Sequence, residues 1–274
     1  MPLNIDQSMI IQRAIENYTN SFAGIGISLR LRRNFATYAA IREANGDTHL
    51  NQAFDPQYIK FGSNDFWILA ENRQGEPIAT YCMRRFVIDD FYDLIRSQAL
   101  WFGDRPRLVD PRFVVACVIP PFGGEVAHGG GLWVRDDYRG SYGIAAVLPR
   151  LARAIALRNH PIDHDSAMIR NDPKDSAPLT ERKAAFIGIR AYGFARVHRF
   201  VDGWFPPEGR NAIMHLCHAT RAEAVASLAA PLARVAARGG LERVEFRQPA
   251  LVDQNEQLVD APAIGGEGQK QARI

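Results

Sequence analysis

Residues Gly129 to Arg158, GGGLWVRDDYRGSYGIAAVLPRLARAIALR, leave the chain few local options. A short apolar strand is followed by a loop carrying Arg139, Gly140, Ser141 and Gly143, and then by a helical run. A helix that opens out of such a loop presents unpaired backbone N–H groups, and its dipole adds positive potential at the same point. That terminus suits an anion such as a pyrophosphate. Side chains at positions 140 and 143 would hold a phosphate off the backbone, which gives the two glycines a physical reason. Pro149 falls inside the helical run, where it removes one backbone donor and is expected to bend the first turns.

With this segment as anchor, the remainder reads as an α/β chain of the α+β type. Ile5 to Phe22 has helical spacing on Ile5, Met9, Ile11, Ile15, Tyr18 and Phe22, and Arg33 to Ala44 is a second helical run. Phe66 to Ala70 and Ile78 to Val87 flank the turn Asn72-Arg73-Gln74-Gly75 and predict a β-hairpin. Asp89 to Leu100 predicts a helix with Asp89 or Asp90 as N-cap. Trp101 to Arg112 reads as a loop, and Phe113 to Ile119 as a strand that stops at Pro120. Further on, Ser166 to Arg170 predicts a strand broken by Asn171 to Asp175, then a helix over Leu179 to Tyr192. Strands are expected at Ala195 to Asp202 and Ala212 to His218, and a helix at Arg221 to Arg238 with Pro231 inside it. Residues 241–274 read as a mobile polar tail.

Composition narrows the function classes. With 47% hydrophobic residues among 274, the chain can bury a sizeable core, and a formal charge of +3 does not call for a nucleic-acid partner. Cys82, Cys117 and Cys217 are odd in number and widely spaced, the pattern of buried thiols in a reducing compartment. No apolar run reaches the ~18 residues that span a bilayer. A cytoplasmic protein with no membrane partner is the expectation. His215 and His218 stand three residues apart on a predicted strand, hence on opposite faces, so no metal is expected there. Arg30, Arg32 and Arg33 read as a solvated basic face, Asp136 and Asp137 as turn caps, and Trp204 with Phe205 as packing at a hairpin end.

The stretch Leu132 to Ala145, LWVRDDYRGSYGIA, resembles the acetyl-CoA-binding motif of the GNAT acetyltransferase superfamily. Downstream, Ala184 to Phe194, AAFIGIRAYGF, resembles the helix and terminal Gly-Phe that close that family's CoA-binding core. The resemblance covers about residues 60 to 218 of the sequence. It implies a twisted, mostly antiparallel central sheet flanked by helices, with strands splayed at the CoA site between the strand ending at Val134 and the one near Ala167. It also implies a helical region over 1–60 packed on an acyltransferase domain at 61–240, with an insertion at about 89–121. Leu132, Val134, Arg139, Gly140, Ser141, Tyr142, Gly143, Ile144 and Ala145 would then hold acetyl-CoA as co-substrate.

The motif departs from the family at two points. The family's Gln or Arg falls at Gly140, with Arg139 one residue early. The family's helix tyrosine falls at Ile189, and Tyr192 is expected to face elsewhere on the helix. The chemistry implied is direct transfer of an acyl group to the amine of a small molecule or peptide, which needs a base for the amine and an acid for the leaving thiolate. Glu125 and His128 are the candidate bases, on opposite faces of their strand, with Glu125 preferred. Tyr192 or Tyr142 is the candidate acid. The alternatives are an acyl-CoA-binding module without turnover and, more remotely, an acyl-homoserine lactone synthase. A homodimer is compatible with either reading.

Overall fold

The computed structural model describes residues 3–47, 50–104, 121–140, 143–170, 177–205 and 210–229, with backbone alone for 177, 199–205 and 210–213. Seven strands form one sheet: β1 (Ser28–Arg32), β2 (Phe66–Glu71), β3 (Pro77–Ile88), β4 (Gly124–Val134), β5 (His164–Arg170), β6 (Arg196–Phe205) and β7 (Arg210–Thr220). Their spatial order is β1-β2-β3-β4-β5-β7-β6. Every neighbouring pair is antiparallel except β4–β5. A parallel pair needs a crossover, which the helix between them supplies.

Alternation along the strands feeds two cores. Phe66, Ile68, Ala70, Tyr81 and Met83 face α1 (Ile5–Gly24), the crossover helix and the C-terminal helix, while Trp67, Leu69 and Cys82 face the other way. The second core is aromatic. It gathers Phe35 and Tyr38 of α2 (Phe35–Ala44), Phe54 of a short turn, Phe91 of α3 (Phe91–Arg96), and Trp101 and Phe102 of α4 (Ala99–Phe102). The crossover helix α5 (Ile144–Asn159) is buried from Ala146 through Leu157 between the sheet, α1 and α7 (Arg221–Ala229). It runs through Pro149 as one element.

Several sequence expectations change. Ile5 and Met9 were placed on the buried stripe of α1 but are exposed (79% and 58%); the core contacts come from Ile11, Ala14, Ile15, Tyr18 and Phe22. Residues 28–32 form the edge strand β1, which the sequence did not announce; Arg30 on it is exposed, as a solvated basic face requires, and also pairs with Glu71 at 2.5 Å. The helix expected over Asp89 to Leu100 is two helices, because Gln98 adopts a left-handed φ of 62°. Trp101 and Phe102, read as loop, are buried in α4. Helix α6 (Ala177–Ala185) continues into a wider turn over Phe186–Ala191. Cys82 and Cys217 are buried free thiols. The strand expected at 113–119, Cys117, the breaker at 171–175, the end of the last helix and the tail at 241–274 lie outside the described residues, as do the side chains of Trp204 and Phe205.

Strand β4 is built for close approach. A Cβ at Gly129 would sit 2.2 Å from the Tyr81 hydroxyl, and one at Gly130 would sit 2.4 Å from the Phe54 ring. The glycine run therefore lets bulky rings close over the strand from both sides. Gly130→Ala should lower stability by about 1–3 kcal/mol, the cost of overpacking. Gly62→Ala, whose nearest neighbour is 3.8 Å away, should be near neutral. Urea unfolding of the two variants checks the difference.

Candidate acyl-CoA site

The site grows from a fault in β4. Thr80 pairs with Trp133 and Cys82 with Gly130, so Tyr81 stands opposite both Gly131 and Leu132. This is a bulge opening on a glycine, and Gly131 has the left-handed φ of 62° that such a bulge requires. The Gly131 carbonyl accepts from Arg42 Nη1 at 2.8 Å, and from the Tyr38 and Thr80 hydroxyls at 3.4 Å each. Arg42 is itself buried and anchored by Asp47, with Nε to Oδ2 at 2.8 Å.

On its other edge, β4 pairs with β5 only from Val126↔His164 to Gly129↔Ala167. Beyond that point β4 runs on to Val134, while Met168, Ile169 and Arg170 pair with β7 alone. The two strands split at Gly129, as the resemblance implied. Leu132 and Val134 lie along the split and pack toward the main core.

The split leads to the loop. Arg135 N–H donates to Ile78 O at 2.8 Å, and its side chain holds Asp137 at 2.8 Å and Glu76 at 3.1 Å. Arg139 folds back, with Nε donating to Val134 O at 3.0 Å and Nη1 on Asp136 at 2.9 Å, and its side chain is 63% exposed. Gly140 and Gly143 have φ of 73° and 62°, and a Cβ built on either would meet nothing within 4 Å. Gly143 N-caps α5 with no side chain closing the helix end. Ile144 is buried and anchors the helix, while Ala145 is exposed. Among the described residues, therefore, nothing closes the first turn to a ligand that needs backbone donors. Ser141 and Tyr142 lie outside the described residues.

The candidate acid–base residues are distributed around the split. Glu125 is paired to Arg85, Nε to Oε2 at 2.6 Å, four residues up-strand of Gly129 and roughly 13 Å from the split at the usual strand rise. His128 is adjacent to the split, on the aromatic side. Its ring lies near Phe54 (6.0 Å, interplanar angle 6°) and Phe91 (5.5 Å), and its Nδ1 is 3.0 Å from Ser166 Oγ. Burial pushes its pKa down to about 3, with the Arg84 guanidinium adding to the effect.

Tyr192 faces elsewhere than Ile189, as the sequence suggested, and for a specific reason. Its N–H donates to Ile187 O at 2.8 Å, five residues back, so the wide turn inserts one residue into the helix register. The ring packs against the main core, while Ile189 is exposed. Burial raises its pKa, with Cys217 contributing. Tyr81 lies beside it electrostatically: burial raises the Tyr81 pKa first and Tyr192 second. Gly188 lets the turn settle on the sheet, since a Cβ there would lie 2.4 Å from Val197. Gly193, at φ 73°, turns the chain, and the buried Phe194 ring lies 4.3 Å from the Arg153 guanidinium.

Sequence reasoning missed Arg42, Tyr81 and Ser166. The run Gly129-Gly130-Gly131 signals close packing, but it does not say which side chains do the packing. His215 pairs with Ile169 and His218 with Ser166, so alternation sets the two histidines on opposite faces. His218 Nε2 instead meets His164 Nδ1 at 3.0 Å. Among the described residues no group of three or more metal-type ligands assembles, and no helix is long and apolar enough to cross a membrane.

No protein-family model matches the sequence, and no curated protein matches it. Solved structures do. A spermidine N-acetyltransferase from Vibrio cholerae is 11% identical with a TM-score of 0.40, covering 72% of this chain and 95% of that one. A GCN5-related N-acetyltransferase from Kribbella flavida is 13% identical with a TM-score of 0.34, covering 71% and 98%. An aminoglycoside acetyltransferase solved with coenzyme A and kanamycin is 15% identical with a TM-score of 0.36, covering 72% and 96%. The chain is similar to GCN5-related N-acetyltransferases.

The His128 environment has a consequence for stability. An unfolded histidine takes its proton near 6.5, whereas the folded ring resists protonation until about 3. Between those values the unfolded state binds more protons, so this ring's contribution is full above about pH 6.5 and is lost as pH falls toward 3. Urea midpoints measured from pH 7.5 down to 4.5 should therefore drop, and should drop less in His128→Gln.

Proposed function

We propose that this chain transfers an acetyl or other acyl group from a coenzyme A thioester to the amine of a small molecule or peptide, by direct attack on the thioester. The observation that carries the reading is continuity. The β4–β5 split at Gly129 runs into a loop whose two left-handed glycines leave the first turn of α5 open. An extended, amide-bearing arm fits the unpaired edge of β4, and a pyrophosphate fits the N–H groups from Gly140 to Ala145. Leu132 and Val134 would flank the arm, with Arg139, Ser141, Tyr142, Gly143 and Ile144 framing the phosphate end.

The bound co-substrate supplies the activated acyl carbon; the chain's residues hold it and move protons. His128 is the better placed base, because it lies next to the split while Glu125 is held by Arg85 farther up the strand. A ring that titrates at about 3 is unprotonated at neutral pH. It is too weak to deprotonate a free ammonium, but it suits the far more acidic N–H formed once the amine nitrogen has bonded to carbon. Tyr192, turned inward by the wide turn, would protonate the departing thiolate.

A second reading, an acyl-CoA-binding module without turnover, is favoured by the aromatic core that fills the His128 face. One experiment separates them: calorimetric binding of acetyl-CoA alongside thiol release with a panel of amines. Acyl transfer predicts binding, amine-dependent thiol release, and a loss of about 10²–10⁴-fold in His128→Ala. Binding with no release under any amine supports the module. Because a β-branched residue at Gly143 would strain a positive φ, Ala145→Glu is the better binding probe. Its charge suits the helix start yet opposes a phosphate, so it should keep the fold and weaken acetyl-CoA at least about tenfold. Unchanged affinity would remove the loop from the site.

A further inference from the structure

Ser166 has no place in the reading so far, yet it touches the group on which that reading turns. It is fully buried on β5, opposite His128 of β4 within the last stretch of parallel pairing. Its hydroxyl carries a single proton. The Ala127 carbonyl, 3.2 Å away, can only accept and so offers a place for that proton. With the proton there, the oxygen is left to accept from its other neighbour, His128 Nδ1, at 3.0 Å. A neutral imidazole with its proton on Nδ1 keeps its lone pair on Nε2.

We propose that Ser166 is a positioning residue: it locks His128 in the Nδ1–H tautomer and so presents the Nε2 lone pair to the acceptor amine. The role in turnover rests on the acyl-transfer reading above; the tautomer does not. The local structure makes the assignment specific. The Phe54 ring lies nearly parallel to the imidazole and Phe91 borders it, so the ring has little freedom to turn away. The neighbouring Arg84 guanidinium, held by the carbonyls of Ala53 and Leu100 at 2.9 and 2.8 Å, disfavours a proton on both nitrogens. The parallel register that ends at Gly129↔Ala167 brings the hydroxyl and the ring together just before the strands part. During transfer Nε2 takes the proton of the attacking nitrogen while Nδ1–H stays on Ser166. The imidazolium thus formed returns its proton to solvent.

Long-range proton–nitrogen NMR on the 15N-labelled full chain reads the tautomer of His128 at neutral pH without any substrate. The expected result is Nδ1–H in the parent protein and a mixed or Nε2–H ring in Ser166→Ala. In that variant kcat should fall by up to the about 10²–10⁴-fold that a placed base contributes, with the KM for acetyl-CoA unchanged. Ser166→Thr, which keeps the hydroxyl, should restore both the tautomer and kcat. An Nε2–H ring in the parent, or an Nδ1–H ring that survives in Ser166→Ala, overturns the proposal. A tautomer that switches while kcat stays at the parent value overturns the positioning role. Failure of every amine to support thiol release, with the tautomer as expected, instead sinks the acyl-transfer reading and the role with it.

Discussion

The carbonyl of Gly131 is the point on which the site depends. Arg42, Tyr38 and Thr80 all donate to it. Those donors come from α2 and β3, so the bulge in β4 is held by the helix and strand beside it and not by its own ladder. A bulge redirects a strand and strengthens its twist. Here it falls two residues after the last β4–β5 pair. Holding a charged guanidinium in the interior is costly without good partners. Arg42 offsets that cost through Asp47 and the Gly131 carbonyl together, so the ion pair and the bulge stabilise each other.

From that point the remaining features line up. The glycines before the bulge let Tyr81 and Phe54 close over β4 from its two faces. On one face α5 packs as a helix buried along most of its length, which fixes its open N-terminus at the end of the split. Arg150 and Arg153 tie α5 to the end of the wide turn: Arg150 Nε donates to Ala191 O at 2.8 Å and Arg153 Nη1 to Tyr192 O at 2.7 Å. Tyr192 therefore has its position set by the same helix that the glycine loop opens. On the other face the aromatic core surrounds His128 and keeps its ring neutral.

Much of the fold was legible in the sequence because the signals were local. The hairpin around Asn72 to Gly75, the helices opened by Asn34 and Asp90, and the strand–loop–helix after Gly129 each carry their own caps or turns. The misses came from tertiary effects. Ile5 and Met9 continue the helical stripe of α1 beyond the part that packs on the sheet. β1 reads as a basic patch because an edge strand tolerates arginines that a central one would not. The break at Gln98 has no glycine to announce it. At the site, the glycine loop was visible from spacing, but the wide turn over Phe186–Ala191 was not, since one inserted residue leaves no mark in the sequence. Ser166 gave no signal, because its meaning lies in the strand next to it.

The central claim is that β4 from Gly130 to Val134 and the loop that follows form one continuous acyl-CoA site. A crystal structure of the full chain with acetyl-CoA tests it most directly. The account predicts the pantetheine arm along the β5-facing edge of β4 beyond Gly129, the pyrophosphate on the backbone N–H groups between Gly140 and Ala145, and the thioester beside Gly129 within reach of His128. Acetyl-CoA bound elsewhere on the chain, with the β4–β5 split empty, would contradict it.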